Sequence, residues 1–465
     1  MKNLIYLMAA LLIPALVFSQ DIEGDWNGLL KTPGVQLRLV LHITKTGTGF
    51  SSTMDSPDQG AKGIPVTETI FENNNLRFKV AAMVISYEGT LNKENIISGT
   101  FKQGGFTAPL DFSRKPVEAE KPKRPQEPIK PFPYYSEDIV FENKTAGNEL
   151  AGTLTLPEKE GNFPAVVLIS GSGPQNRDEE LMGHKPFLVL SDFLTRNGIA
   201  VLRFDDRGVG ASKGNFASAT SADFSTDVNA AVNYLLTRKE INKNKIGLIG
   251  HSEGGIIAPM VAAEGNNIAY IILMAGIGIP GDQLLLSQQQ AIAKASGASD
   301  IVIEKSTAIN KIVFEMVKKS TSIDQVKTDL TNYLLKSTED DAYKPAGMAD
   351  SDFVKMEVER VANPWMYYFL RYDPAPVLQK VKCPVLALNG DKDLQVPSKV
   401  SLPAIKNEVL KGGNKNITIK ELPNLNHLFQ ECKTGLPNEY ASIEQTISPV
   451  ALNEILQWIN MQVKK

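Results

Sequence analysis

Five residues that read GHSEG, from Gly250 to Gly254, combine a hydroxyl side chain with a pattern that makes it reactive. The apolar run KIGLI precedes them and IIAPMVAA follows, so the pattern predicts a strand, a tight turn and a helix. The glycines remove side chains that would collide with that strand and helix. The turn holds Ser252 above the edge of a sheet, beside a helix amino terminus that favours developing negative charge. We therefore predict that Ser252 is a catalytic nucleophile.

A serine hydroxyl needs a base, and the chain has only 4 histidines. Where such a turn belongs to a catalytic triad, the order along the chain is serine, acid, histidine. His42 and His184 precede the serine, and His251 lies inside the turn, where we expect its side chain to point away from Ser252. His427 follows a predicted strand, ITIKEL, in the loop LPNLNHLFQ. We predict that His427 is the general base.

The acid of the triad is expected after the strand that lies between the turn and the base. The run PVLALNG leads into DKDLQVP, which offers Asp391 and Asp393. Asp391 suits a turn in which its side chain bonds its own backbone. Asp393 occupies the loop position that this role requires, where it would hold the tautomer of His427 and stabilise its imidazolium form.

The negatively charged oxygen of a tetrahedral intermediate needs two backbone N–H donors. One is expected from Glu253, directly after the nucleophile. The other is expected from Ser172 in the loop GSGPQNRD after the AVVLIS run, because the glycines on both sides let the backbone approach a substrate closely. An ordinary Gly-Pro turn is the alternative interpretation of this loop.

The segment DDRGVGAS, from Asp205 to Ser212, contains a G-x-G pattern without the fuller G-x-G-x-x-G of a phosphate-binding loop. We predict instead that Asp206 and Arg207 form a charge-paired turn in the wall of the site.

The elements that must position these residues are short, nearly continuous apolar runs separated by helical stretches. They are AVVLIS (Ala165–Ser170), IAVLRF (Ile199–Phe204), KIGLIG (Lys245–Gly250), AYIILMA (Ala269–Ala275) and PVLALN (Pro384–Asn389). Strands buried on both faces have this composition, so the pattern predicts a parallel sheet with helices on both sides. Between about residues 281 and 373 the apolar residues recur at helical spacing, which predicts an all-helical insertion of about ninety residues. It is either a lid over the site or additional packing mass.

A different pattern occupies residues 20–114, where apolar and polar residues alternate between turn-forming clusters. It predicts a small antiparallel all-β domain, as an open sheet or a barrel. Residues 115–133 are rich in proline and predict an extended linker, because proline excludes helices and central strands. The predicted catalytic domain spans residues 134–465.

The first 19 residues predict an export signal, with Lys2 before an apolar run that is too short to span a bilayer. Cleavage after Ser19 would leave an exported, periplasmic or extracellular protein without stable membrane insertion; an uncleaved anchor is the alternative. The formal net charge of -3 gives no basic surplus, which argues against nucleic acid as a partner. With only 2 cysteines, Cys383 and Cys432, no disulfide framework carries the fold, and the two thiols either pair or stay free.

Taken together, AVVLISGSG, VLRFDDRGVGAS, GHSEGG, NGDKDLQVP and NHLFQ resemble the motifs of the α/β-hydrolase superfamily over residues 134–465. The segment NPWMYYFLRYDP and the preceding β-domain make the chain similar to secreted bacterial carboxylesterases of the EstD type. The resemblance implies an α/β-hydrolase fold with a helical cap, and hydrolysis of short to medium acyl esters without a metal or organic cofactor. The first oxyanion element reads SGSG here, where the familiar sequence is HGGG.

The sequence therefore predicts a serine hydrolase that cleaves small-molecule carboxylic esters through an acyl-enzyme intermediate. Two alternatives stay open. A secreted serine peptidase would need a carboxylate pair or cluster to hold the free amino terminus of a peptide, and Glu253 is a single candidate for it. A binding protein with an inactive hydrolase domain is the second alternative. Oligomeric state stays open as well.

Overall fold

The computed structural model describes residues 21–32, 35–59, 61–103, 106–118, 123–265, 268–337 and 349–464. Its contacts divide the chain into two compact units, one made mainly of residues 36–120 and the other of residues 121–344 and 349–465. The predicted export signal, residues 1–19, lies outside the described residues. Within the ranges given above, no helix is both long and apolar enough to cross a membrane.

The amino-terminal unit is a single nine-stranded sheet with the strand order β4-β3-β2-β1-β9-β8-β7-β6-β5. Short 3-10 turns lie at Pro57–Gln59 and Ala81–Met83. The strands are β1 (Gly24–Thr32), β2 (Val35–Thr46), β3 (Gly49–Ser56), β4 (Ala61–Pro65), β5 (Glu68–Glu72), β6 (Asn75–Val80), β7 (Ile85–Leu91), β8 (Ile96–Gln103) and β9 (Phe106–Ser113).

Buried apolar and exposed residues alternate along these strands, which explains why the sheet has one buried face. In β6, for example, Leu76, Phe78 and Val80 are buried while the residues between them are exposed, as expected of a strand with one face on a core. Trp26 is fully buried in that core, and its indole N–H donates to the carbonyl of Ile22 at 2.8 Å. The sheet curls until β3 and β5 are joined by a hydrogen bond between the Ser52 and Thr69 hydroxyls, 2.5 Å long.

The carboxy-terminal unit contains an eight-stranded sheet with the order β10-β11-β13-β12-β14-β15-β16-β17. The pairs β10–β11 and β11–β13 are antiparallel, and every later pair is parallel. The strands are β10 (Tyr135–Asn143), β11 (Asn148–Leu156), β12 (Phe163–Ile169), β13 (Ala200–Phe204), β14 (Ile241–His251), β15 (Tyr270–Met274), β16 (Val385–Gly390) and β17 (Ile417–Leu422).

Helices cover both faces of this sheet, which is why its central strands are apolar throughout. On one face α2, α3 and α10 pack against it, and on the other α1 and α11 do so. The helices are α1 (Pro186–Arg196), α2 (Ser221–Thr237), α3 (Gly254–Ala263), α4 (Gly281–Ala295), α5 (Asp300–Lys319), α6 (Ile323–Ser337), α7 (Asp350–Val361), α8 (Pro364–Phe369), α9 (Ala375–Leu378), α10 (Ser398–Lys411) and α11 (Pro449–Val463), with a 3-10 turn at Pro437–Ser442.

The predicted helical insertion lies between β15 and β16. Its described residues contain α4 to α8, and residues 338–348 lie outside the description.

The order of the strands also determines where a site can form. The chain leaves β12 toward β13 on one side and leaves β14 toward β15 on the other, so the carboxyl ends of β12 and β14 border a crevice where ligands bind in open α/β sheets.

Residues 123–133 contain neither helix nor strand and bind to the carboxy-terminal unit. The Arg124 guanidinium donates to the carbonyls of Gly183, Ala441 and Ile443 at 2.9 to 3.0 Å. The end of the predicted linker is therefore fastened to this unit.

Cys383 and Cys432 are both free thiols, so the two cysteines are unpaired.

Candidate active site

The predicted nucleophile Ser252 occupies a strained turn between β14 and α3. Its φ is 53°, in the left-handed region that serine rarely adopts. Its N–H donates to the carbonyl of Met274 at 2.8 Å, and its own carbonyl accepts from the N–H of Gly255 at 2.9 Å. These two bonds hold the turn to the end of β15 and to the start of α3, so the surrounding structure maintains the strain.

Two glycines permit this turn because the chain segments around it touch. A Cβ at Gly250 would collide with the carbonyl of Gly254, and a Cβ at Gly254 would collide with the carbonyl of Ile169 at the end of β12. The helix therefore starts in direct contact with the sheet, and any larger residue at either position would push it away.

His427 and Asp393 form a buried pair. The Nδ1 atom of His427 lies 2.8 Å from Oδ2 of Asp393, and the two side chains are 6% and 0% exposed. The second carboxylate oxygen of Asp393 accepts from the backbone N–H groups of Gln395 and Val396 at 2.8 and 2.9 Å. The carboxylate is thus fully bonded, and the imidazole is fixed with Nδ1 toward the acid.

Asp391, the other carboxylate considered from the sequence, points elsewhere. It accepts from the backbone N–H of Asn424 at 2.6 Å, across the turn after β17, rather than bonding its own backbone. It joins two loops at the carboxyl edge of the sheet and, among the described residues, forms no hydrogen bond with His427.

His251, inside the turn, connects the loop that contains His427 (the base loop) to the turn that contains the nucleophile. Its Nε2 atom lies 2.9 Å from the carbonyl oxygen of His427, and the two imidazole rings are 4.8 Å apart between centroids. On its other side, Nδ1 lies 2.8 Å from Oε1 of Glu179. The Ser252 hydroxyl makes no hydrogen bond to His427 within the described residues; such bonds often tighten only when a substrate is bound.

The loop after β12 runs beside the nucleophile. A Cβ placed on Gly171 would lie 3.2 Å from the Cβ of Ser252. The N–H of Gly171 is engaged by Oε1 of Glu179 at 2.7 Å. The N–H groups of Ser172 and Glu253 donate to no acceptor in the part of the chain that the structure describes, so both are available to an oxyanion.

The side chain of Glu253 links the turn to the helical insertion. Its Oε1 atom accepts from the hydroxyl of Ser221 at 2.6 Å and from the indole N–H of Trp365, in α8, at 2.8 Å. The residue is 2% exposed, and burial raises the pKa of its carboxyl above the ordinary value. The hydrogen bonds from Ser221 and Trp365 favour the ionised form and offset part of this rise.

Asp206 and Arg207 do not pair with each other, and the prediction of a charge-paired turn is wrong. Asp206 accepts from the Ser170 hydroxyl and the N–H of Gln175, each at 2.9 Å, and burial raises its pKa to about 8. Arg207 instead bonds Asp227, at 2.7 Å. Asp206 still lines a small cavity with Gly171 and Glu253.

The chain is similar to known proteins. The family model described as "Serine aminopeptidase, S33" matches residues 186–431, more than half of the chain. The chain belongs to this family. Its α/β-hydrolase fold, with a helical insertion and a preceding antiparallel β-unit, is confirmed, and the protein is a hydrolase.

Individual proteins are also similar to this chain over much of their length. Esterase EstD of Thermotoga maritima is 25% identical over 332 residues, which cover 70% of each chain. An uncharacterized 31.7 kDa protein of Escherichia coli is 25% identical over 248 residues, covering 52% of this chain and 77% of the relative. Among solved structures, the α/β hydrolase GrgF from Penicillium sp. sh18 has a TM-score of 0.44 at 16% identity, covering 71% of this chain and 100% of that chain.

Sequence reasoning missed Glu179, Ser221 and Trp365, although all three contact residues of the GHSEG turn or its loops. Glu179 stands one residue beyond the GSGPQNRD segment, and no spacing rule connects it with His251, 72 positions later. Trp365 belongs to a segment that the resemblance singled out, but the sequence gives no reason for its indole to face Glu253. A buried histidine in the turn was the one usable signal, because it needs a partner.

Proposed function

We propose that this hydrolase cleaves carboxylic esters of short to medium acyl chains through an acyl-enzyme intermediate on Ser252. The observation that carries the proposal is the buried Asp393–His427 pair, which His251 joins to the strained turn that presents the serine. The esterase among its relatives supports the substrate class.

In the proposed reaction, Nδ1 of His427 is held by Asp393, so Nε2 is the atom that takes the Ser252 proton. The serine oxygen attacks the ester carbonyl, and the N–H groups of Ser172 and Glu253 bind the resulting oxyanion. His427 then protonates the departing alcohol. Water enters, gives a proton to the same nitrogen and attacks the acyl-enzyme. The bond between the acyl group and the serine oxygen then breaks, His427 returns the proton to that oxygen, and the acid is released.

The carboxyl groups beside the nucleophile favour esters over peptides with a free amino terminus. An ammonium group is best held by ionised carboxylates. Glu253 is buried and Asp206 is half-buried, desolvation raises the pKa of both, and both already accept hydrogen bonds from neutral groups. Asp206, with a pKa of about 8, is mostly uncharged at neutral pH, and burial disfavours the negative charge of Glu253, which supports a neutral ester as the substrate.

A substrate panel tests the proposal. We expect p-nitrophenyl acetate, butyrate and octanoate to be hydrolysed much faster than aminoacyl p-nitroanilides, and a fluorophosphonate probe to label Ser252. The Ser252→Ala variant should lose turnover and labelling, whereas Ser218→Ala, a change at an exposed serine, should keep both. Retained ester turnover in Ser252→Ala would refute the mechanism. Preference for the anilides would favour the peptidase, and absence of labelling would favour a binding protein.

We further propose that residues 1–19 direct export and are removed after Ser19. Mature protein purified from an export-competent host should begin at Gln20 by amino-terminal sequencing. A mature chain that begins at Met1 and stays with the membrane would contradict cleavage and favour the uncleaved anchor.

A further inference from the structure

A second buried acid–histidine pair lies beside the one proposed for catalysis. Glu179 and His251 have side chains 5% and 7% exposed. A single oxygen of Glu179, Oε1, accepts from the backbone N–H of Gly171 at 2.7 Å and lies 2.8 Å from Nδ1 of His251. The opposite ring nitrogen of His251 lies 2.9 Å from the carbonyl oxygen of His427. The pair thus connects two loops that are 256 positions apart in sequence, counted from Gly171 to His427.

The partners of His251 determine its protonation. A carboxylate and a backbone carbonyl can only accept hydrogen bonds, so when Glu179 is ionised both ring nitrogens donate, which is the bonding pattern of an imidazolium. Burial lowers the pKa of His251, but the charge and hydrogen bond of Glu179, the carbonyl of His427 and the charge of Asp393 together leave the pKa above the ordinary value. The pair is therefore a buried ion pair in which each partner is hydrogen-bonded a second time.

The groups around the pair cannot replace Glu179 as the partner of His251. The walls around the pair include the apolar side chains of Phe187, Met274 and Phe429. The titratable groups that face it are His427 and Asp393 on the side of His251 and Asp206 on the side of Glu179. Asp393 is committed to His427 and to two backbone N–H groups, so it cannot replace Glu179.

We propose that Glu179 and His251 are positioning residues of the hydrolytic site. They hold the loop of Gly171 and Ser172 and the loop of His427 in fixed positions on either side of the nucleophile. The inference rests on the proposed function. Glu179 fixes Gly171, and the next residue, Ser172, carries a proposed oxyanion donor. His251 fixes the backbone of His427, the proposed base. Small displacements of either group lower the rate of the chemical step more than they weaken substrate binding.

The variant Glu179→Gln separates charge from shape. Its amide oxygen can still accept from Gly171, but a neutral His251 has one proton and loses one of its two bonds. We expect kcat for p-nitrophenyl butyrate to fall about 10- to 100-fold with KM changed less than about threefold. A boronic acid that mimics the tetrahedral intermediate should bind more weakly by a similar factor. The control is Glu180→Gln, an exposed neighbour whose side chain hydrogen-bonds Asn176, and its kcat should stay within twofold of the wild type.

Coupling between the two residues provides a second test. His251→Gln retains a donor toward His427 and removes the charge, so we expect a loss in kcat similar to that of Glu179→Gln. The double variant should lose no more than the worse single variant, because both changes break one unit. If Glu179→Gln does not fold, as judged by circular dichroism, His251→Gln decides by the same criteria.

The outcomes are distinct. Equal kcat for Glu179→Gln and Glu180→Gln, a rise in KM without a fall in kcat, or losses that multiply in the double variant would each overturn the positioning role. Failure of the proposed function would appear earlier, as a wild-type protein whose ester turnover does not depend on Ser252.

Discussion

Replacing Asp206 by asparagine should make the carboxy-terminal unit more stable at neutral pH. In the native state Asp206 is half-buried, and the desolvation of its carboxyl raises its pKa to about 8 from an ordinary value of 3.8. The protonated acid can donate to the Ser170 hydroxyl and accept from the N–H of Gln175, both at 2.9 Å. An asparagine side chain has the same shape and can make the same two bonds, so Asp206→Asn mimics the protonated state.

The sign and size of the effect follow from proton linkage. Between pH 4 and 8 the native state binds one proton at Asp206 that the unfolded chain has released, so the free energy of unfolding decreases as pH rises. Each pH unit in that window costs about 1.4 kcal/mol per proton. From pH 5 to 7, the stability of Asp206→Asn relative to wild type should therefore rise by about 3 kcal/mol. Below pH 4 the two proteins should be similar in this respect.

Urea unfolding followed by circular dichroism at 222 nm measures this difference. The helices α1 to α11 all belong to the unit that contains Asp206, so the helical signal reports on that unit. The control is Asp324→Asn, where the side chain is 93% exposed, and its stability should follow that of the wild type at every pH. Parallel curves for wild type and Asp206→Asn between pH 5 and 7.5 would refute the assignment of a desolvated, protonated carboxyl.

Three further predictions concern packing and the cap. Gly254→Ala places a Cβ against the carbonyls of Ile169 and Ser170, so we expect loss of fluorophosphonate labelling, whereas Gly49→Ala, where nothing lies within 4 Å, should label normally. Trp365→Phe removes one of two hydrogen bonds to Glu253 and should raise KM for esters several-fold in steady-state assays; unchanged kinetics would show that this contact does not position the cap. Trp26→Ala removes the largest fully buried side chain of the β-unit and should lower the free energy of unfolding of that unit by about 3–5 kcal/mol. Urea titration of the purified protein measures this loss, and a loss below about 1 kcal/mol would contradict the place of Trp26 in the core.

The parts of the fold that sequence alone could predict are those with local signals. The strand before Gly250, the turn at Ser252 and the helix after it are encoded in about twenty adjacent residues, and the structure has all three. The strand β17 (Ile417–Leu422) has the predicted bounds. Strand β10, by contrast, follows the proline-rich segment and exposes many of its residues. Its apolar content is too low for a pattern of buried strands, and it was not predicted.

The parts of the site that sequence could not predict depend on contacts between distant segments. Asp206 and Arg207 are adjacent, opposite in charge and yet bonded to different partners, because the tertiary structure supplies better ones than the neighbour. Glu179 has no motif of its own. Its position follows only after β12 and β14 are paired side by side, which places the loop of Gly171 against the turn of Ser252.

The three consecutive residues His251, Ser252 and Glu253 explain how one turn can organise the proposed reaction. A carboxylate beside the oxyanion would oppose the negative charge that develops there. Glu253 reduces this penalty because burial disfavours the charged form of its carboxyl and raises its pKa. The positive charge of His251 is balanced by Glu179, so the pair contributes geometry without a net charge. The turn thus binds the base loop on one side and Trp365 of the cap on the other, and a substrate that shifts the cap would act directly on the residue next to the nucleophile.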